Sequence, residues 1–306
     1  MTFVARGAHL QAIQEAGLTV KSILGDFRID QANVTNEIGA IGTVDLVLLG
    51  VKAWQVKGVA EELRPVVGER TTVLPLQNGL TAAPEVAEAV GPERARRGLC
   101  RILSRIESPG VILHSGLEPF VALGELDGRS TDRCLAIRDL LTEAGIAVLL
   151  ADDIRAELWK KFMAMCAGGV PALARSPWGP ARERRKTRAV MVGLLSEIYA
   201  IASRQRILYD PRIVEATMAL IDSFPYDSRS SLARDVMEGR PSEIEALNGT
   251  AVRLADETGI EAPINRSVYG CILPMERVAR AEGVQVLISS FALMPVKKKR
   301  YRRRCA

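Results

Sequence analysis

Two apolar runs, residues 44–51 and 72–76, each stop at a short polar motif: Lys52-Ala53-Trp54-Gln55 in one case, Gln77-Asn78-Gly79 in the other. Short apolar runs bounded by turn signals read as buried strands, and strands buried on both faces belong to parallel sheets covered by helices. Such sheets bind ligands beyond the carboxyl ends of their strands, which is where both polar motifs fall. The neighbouring sequence alternates in the same sense. Residues 2–5 read as a strand, 8–16 as a helix, 55–63 as a helix and 84–90 as a helix ended by Gly91-Pro92. Two further strand pairs are expected around Ser108-Pro109-Gly110 and Gly116, the last strand ending at Gly124. This alternation predicts an α/β domain with a doubly wound parallel sheet over residues 1–150. From Asp152 the periodicity becomes helical, with breaks at Gly168-Gly169, Ser176-Pro177 and 223–231, so residues 151–283 are expected to form an all-helical domain. Residues 284–306 are an extension with a basic end.

Composition excludes several classes of function. No apolar run reaches the ~18 residues of a membrane span; residues 284–296 come nearest, and Ser289 and Ser290 interrupt them. The five cysteines, at 100, 134, 166, 271 and 305, are scattered and odd in number, which argues against a disulfide framework or zinc site and fits a reducing cytoplasm. With His9 and His114 as the only histidines, metal or triad chemistry has little to build on, and no metal is expected. Residues 297–304 carry seven of the positive charges, more than the whole net charge of +5, so the body of the chain is slightly negative. One basic octamer without a matching fold gives no specific nucleic-acid reading, although it leaves polyanion binding through the tail as a rival function.

Lys161 carries the strongest chemical signal. On a helix opening at Asp152-Asp153, it falls on the same stripe as Ile154, Leu158, Phe162 and Met165, whereas Lys160 points away. A lysine there either snorkels, burying its stem and freeing its ammonium, or lines a cleft where it can protonate a carbonyl oxygen. Glu243 follows Pro241 in the first turn of an expected helix, and Ser242 with Glu245 forms a capping box, so a purely local role is open to it. Asn248 shares the apolar stripe of Ile244, Leu247 and Ala251 and needs partners from the fold or a ligand. Ser231 stands before a helix as a cap. Asn78-Gly79 is a turn signal whose place after a strand lets Asn78 face the crevice, and Lys52 is placed likewise to meet a phosphate or ribose. Arg6 ends the first strand with no acid beside it in sequence, the arrangement that accommodates the 2′-phosphate of NADP rather than the 2′-hydroxyl of NAD.

Taken together in order and spacing, these segments resemble the ketopantoate reductase (2-dehydropantoate 2-reductase) family. The resemblance rests on Phe3 to Leu10, Lys52-Ala53-Trp54-Gln55, Gln77-Asn78-Gly79, Gly124 to Gly128, Leu158-Trp159-Lys160-Lys161-Phe162, Pro241 to Glu245 with Asn248-Gly249, and Ala262 to Asn265. It covers about residues 1–282. It implies a Rossmann-type domain followed by a helical one, and NADPH-dependent reduction of 2-dehydropantoate to pantoate on the way to pantothenate and coenzyme A. It also implies Lys161 as general acid, Glu243 beside nicotinamide and substrate hydroxyl, and Ser231 on the substrate. Asn78 and Lys52 would lie on the cofactor side, Asn78 also binding the substrate and orienting Lys161, with Asn248 lining the substrate pocket and Arg6 on the 2′-phosphate. The partner implied is a small 2-keto acid; the oligomeric state stays open, a homodimer included. Met165, Gly169 and Trp178 stand where some members carry asparagines, which leaves other 2-keto acids open as substrates. The family's glycine-rich strand–turn–helix has no counterpart, because Met1 falls where the second strand of that fold lies. The expectation is either a native start upstream of Met1 or a cofactor-deficient, non-catalytic remnant.

Overall fold

Strand β5 (Val44–Leu49) lies parallel to β6 (Val67–Pro75), Leu48 opposite Leu74 and Leu49 opposite Pro75, so the two apolar runs end side by side. This computed structural model describes residues 1–291 apart from 128, 130 and 209, and the side chains of 282–291 also fall outside the described set. The basic run 297–304, and any role for it, therefore lies outside the described residues. Between the two strands run a one-turn 3₁₀ segment, Ala53–Gln55, and helix α2 (Val56–Glu62); α3 (Ala82–Val90) follows β6. Val56 and Ala60 of α2 and Val86 and Val90 of α3 are buried with Val73 of β6, which is the apolar layer that a parallel pair requires.

A parallel bridge, Val73 to Ala95, links this pair to a second sheet. There β7 (Arg97–Ser108) runs antiparallel to β8 (Val111–Gly124), turning at Pro109-Gly110, where Gly110 has φ 77°. The expected two strand pairs are thus one long hairpin. Gly116, with φ 80°, lies in β8 beside a register shift opposite Arg101–Leu103; it is a bulge, not a turn. Strand β8 also pairs in parallel with β2 (Leu18–Ser22) over its first half and with β9 (Ala147–Leu150) over its second. Strand β3 (Phe27–Ile29) adds to β2 antiparallel, and β1 (Phe3–Val4), ahead of α1 (Gly7–Ala16), pairs in parallel with β4 (Val34–Thr35). The expectation of parallel pairs holds for β1–β4 and β5–β6, but among the described residues the strands form three separate sheets rather than one, and the five-stranded sheet is mixed. Strands β2, β3, β4 and β9 and helix α4 (Asp132–Glu143) were not anticipated, because strands of two to five residues carry little periodic signal.

After β9 the described chain is helical. Helix α5 (Ile154–Ala167) opens on Asp153, whose Oδ1 accepts from Ala156 N at 3.0 Å. Then come α6 (Gly169–Ala174), α7 (Trp178–Glu183), α8 (Arg185–Arg204), α9 (Arg212–Asp222) and α10 (Ser231–Met237). Next is a π-helical turn, Glu245–Gly249, followed by α11 (Thr250–Thr258) and the long α12 (Pro263–Phe291). Helix α5 is wrapped on nearly every side: Trp159, Met163 and Ala164 are as buried as Leu158 and Phe162. The expected single stripe is therefore too narrow. Among the described residues no helix is long and apolar enough to cross a membrane.

Candidate active site

Gln77 fixes the floor of the site. Its Nε2 donates to Leu49 O at 2.7 Å and Val51 O at 3.1 Å, tying the exit of β5 to the exit of β6. Its Oε1 is buried with no partner among the described residues, an acceptor left over at the sheet edge. The turn that follows touches the helical half. Gly79 has φ 95°, and a Cβ there would stand 2.8 Å from Ala246 O of the π-helical turn. Glycine thus meets both the backbone angle and the close approach. This contact lets Asn78 reach across: its Nδ2 donates to Glu243 Oε2 at 2.9 Å, while Ala53 N donates to Glu243 Oε1 at 3.2 Å. Glu243, buried at 8% exposure, is therefore held by groups from the carboxyl ends of both strands.

Lys161 comes to the same place from α5. Its Nζ donates to Cys100 O of β7 at 2.7 Å. Burial, chiefly, pushes its ammonium below the ordinary lysine range, and Arg101 adds to this; Cys100 and the Glu243 carboxylate pull the other way. Lys160, by contrast, pairs with Glu157 at 2.7 Å on its own helix. The structure separates the two lysines as the helical pattern expects. It differs over Asn78, whose amide goes to Glu243 and not to Lys161.

Three other expectations change. Ser242 makes no capping box with Glu245: its hydroxyl donates to Glu276 Oε2 at 2.6 Å, and the residues after it open a π turn rather than an α-helix. Ser231 is exposed and the cap of α10 is its neighbour Ser230, whose Oγ accepts from Ala233 N at 3.0 Å. Asn248 is wholly buried inside the helical half. Its Nδ2 donates to Cys166 O at 3.3 Å and Asn265 Oδ1 at 3.2 Å, so fold groups take its amide nitrogen, while its Oδ1, beside Gly169, has no partner among the described residues. The three positions at which some members of the resembled family carry asparagines are apolar for packing reasons. A Cβ at Gly169 would lie 2.6 Å from Val268 Cγ1, Trp178 packs against Phe224 at 5.4 Å, and Met165 lies against the helical core.

Lys52 stands at the end of β5 with its Nζ 3.6 Å from Asp235 of α10, a carboxylate that Arg240 also holds at 2.8 Å. Arg6 pairs with Glu62 at 2.8 Å, so the acid missing beside it in sequence arrives from α2. Asp235, Glu62, Glu276 and Arg280 are not marked by the sequence, because each acts on a residue far away along the chain, and Gln77 is marked only as part of the Gln77-Asn78-Gly79 motif. Lys52, Asn78, Gln77 and Glu243 supply donors and acceptors at the edge where parallel sheets bind dinucleotides, and their chemistry fits the ribose and carboxamide end of a nicotinamide cofactor. A larger concavity of about 500 Å³ between α8 and α9 is lined by Val192, Val214, Met218 and paired charges, and holds none of these groups.

The family model described as ketopantoate reductase PanE/ApbA matches residues 1–128, and that of the ketopantoate reductase PanE/ApbA C terminal matches 153–276. A 2-dehydropantoate 2-reductase of Nostoc sp. is 30% identical over 266 residues, which cover 85% of this chain and 82% of the relative. The crystal structure of 2-dehydropantoate 2-reductase from Geobacter metallireducens aligns with a TM-score of 0.83 at 29% identity, over 89% of this chain and 91% of that one. D-mandelate dehydrogenase with NADH and anilino(oxo)acetate is alike in fold alone, with a TM-score of 0.81 at 19% identity over 91% of both chains. With a Rossmann-like half, a helical half and matching models over both, the chain belongs to the ketopantoate reductase family of oxidoreductases.

Proposed function

We propose that this protein reduces a 2-keto acid with a nicotinamide cofactor, 2-dehydropantoate to pantoate with NADPH being the reaction its family membership favours. The observation that carries the reading is the convergence of Lys161, Asn78 and Glu243 from both halves of the molecule at the carboxyl edge of β5 and β6. A nicotinamide cofactor held beside Asn78 and Lys52 would supply the hydride that the carbonyl carbon receives. Lys161 donates its proton to the carbonyl oxygen as negative charge develops there, becomes a neutral amine, and is reprotonated from solvent. Its lowered pKa eases that transfer, and the Glu243 carboxylate keeps enough of it charged to begin the cycle. Asn78 and Lys52 face the cofactor, and Ser231, exposed at the start of α10, is available to a substrate carboxylate.

A second reading, a reductase for a different 2-keto acid, is favoured by Met165, Gly169 and Trp178. These residues are packed into the helical core and offer the pocket no carboxamides. The test is oxidation of NADPH and of NADH by the purified chain, each with 2-dehydropantoate and with 2-keto acids of increasing apolar bulk. Turnover of 2-dehydropantoate with a kcat/KM at least tenfold above the others supports the first reading. Preference for a bulkier apolar acid supports the second, and no oxidation with any acid sinks both.

A further inference from the structure

Glu243 is also approached from α12, whose Arg280 lines a cavity of about 150 Å³ together with Ala53, Trp54, Ser242 and Glu243. On α12, Glu276 is 3% exposed, and its Oε2 accepts from Ser242 N at 2.8 Å and Ser242 Oγ at 2.6 Å. One turn later, Arg280 Nε pairs with Glu276 Oε1 at 2.6 Å, and its Nη2 donates to Ser242 O at 3.2 Å. The peptide units on both sides of Ser242, the residue just before Glu243, are thus gripped by one ion pair. The same guanidinium lies 4.4 Å from the centre of the Trp54 ring, in the 3₁₀ segment Ala53–Gln55. Trp54 is 40% exposed and follows Ala53, whose N–H holds Glu243 Oε1. Arg280 therefore touches both sides of the hydrogen bond that fixes Glu243: the backbone that carries the carboxylate and the turn that receives it. Such double contact has a use beyond packing, because a planar guanidinium can stack and hydrogen-bond at once where an ammonium cannot.

We infer that Glu276 and Arg280 are positioning residues, a clamp on α12 that sets the Glu243 carboxylate opposite Lys161 only while Trp54 and Ser242 are held together. The inference rests on Lys161 and Glu243 acting as the proposed function describes. The groups facing Lys161 are Cys100 and Arg101 from β7 and Glu243 from the segment before the π turn; Lys160 on its own helix is paired away with Glu157. Of these, Glu243 is the one the clamp controls. Loosening the clamp weakens the carboxylate's pull on the ammonium. The Lys161 pKa then falls, and the charged form is lost at lower pH than in the wild type.

The test is Glu276→Gln and Arg280→Met, each compared with wild type in two measurements. One is the pH profile of kcat/KM for 2-keto acid reduction. The expected outcome is a roughly tenfold lower kcat, little change in KM, and a basic limb displaced downward by about half to one pH unit. Arg280→Lys, which keeps the charge but not the stack on Trp54, should recover only part of the loss. The other measurement needs no turnover: acetylation of the Lys161 amine across pH, read by peptide mass spectrometry with Lys160 as internal reference. It should give the same downward shift. If Lys161 acetylates with the wild-type pH dependence in both variants, the clamp is structural only and the inference fails. If wild type reduces none of the 2-keto acids, the functional reading fails while the acetylation result still decides the clamp. Arg280 is 34% exposed, so its variant keeps the test open should Glu276→Gln fail to fold.

Discussion

Two clusters of polar side chains lie within the helical half or at its edge, and they differ in what completes them. Asn248, Asn265 and Glu197 form the first. Asn265 Nδ2 donates to Glu197 Oε2 at 2.7 Å and Leu194 O at 3.1 Å, and Glu197 also accepts from Ile264 N and Asn265 N at the start of α12. Every partner here belongs to the helical half, and the carboxylate does the work of a helix cap. Lys161, Asn78 and Glu243 form the second, where partners come from both halves and part of each group's hydrogen-bonding capacity is unused. Lys161 has three donors and spends one on Cys100 O. A buried polar residue is thus weak evidence for a site; spare capacity at a junction is stronger evidence.

The sharpest way to break this contrast is to truncate one member of each cluster. Lys161→Ala should lower kcat/KM by about 10²- to 10⁴-fold, the usual worth of a positioned acid, while the unfolding midpoint moves little. The wild-type basic limb should lie below the ~10.4 of an unperturbed lysine, since burial lowers this pKa and the protonated form is the active one. Activity surviving in the alanine variant would remove Lys161 from the chemistry. The opposite pattern is expected from Asn265→Ala, which removes one of the two acceptors of Asn248 Nδ2 and one of the donors to Glu197. It should cost about 1–3 kcal/mol in denaturant unfolding yet leave the pH profile of kcat/KM where it was. A shifted profile would mean that the first cluster reaches the cleft after all.

The same contrast explains what the sequence could and could not tell. Helices α2, α3 and α5 and strands β5 and β6 are legible because their apolar residues recur at a fixed period or in an unbroken run. The distinction between Lys160 and Lys161 also follows from helical geometry, although α5 is buried so widely that the stripe does not by itself mark a cleft. Ser242 shows the limit. A serine three residues before a glutamate satisfies the capping-box pattern, yet its hydroxyl bonds to Glu276, 34 positions away, and the backbone takes a π turn. No local rule encodes that exchange, because it depends on which face of α12 packs there. Ser231 misses its cap by one residue, the ordinary error of a helix boundary read from composition. The asparagine at 248 and the one at 78 look alike as residues in sequence; only the tertiary partners set them apart.

Arg6 gives the smallest effect and the finest test of how a partner changes a group's meaning. Alone at the end of a strand, an arginine suits the 2′-phosphate of NADPH; paired with Glu62, it is partly neutralised, and a phosphate would approach a carboxylate as well. Both side chains are more than half exposed, at 59% and 52%, so the pair itself contributes little to stability. Glu62→Gln should then leave the unfolding midpoint unchanged and raise the preference for NADPH over NADH by about two- to fivefold, matching the ~0.2–1 kcal/mol of an exposed ion pair. Arg6→Ala should lower that preference, and both changes should shrink as ionic strength rises, because exposed charges are screened. If the ratio of kcat/KM for the two cofactors is the same in wild type and Glu62→Gln, Arg6 does not meet the 2′-position. Discrimination between the cofactors then belongs to another group, and the pairing of Arg6 with Glu62 is a surface contact between the residue ahead of α1 and the end of α2.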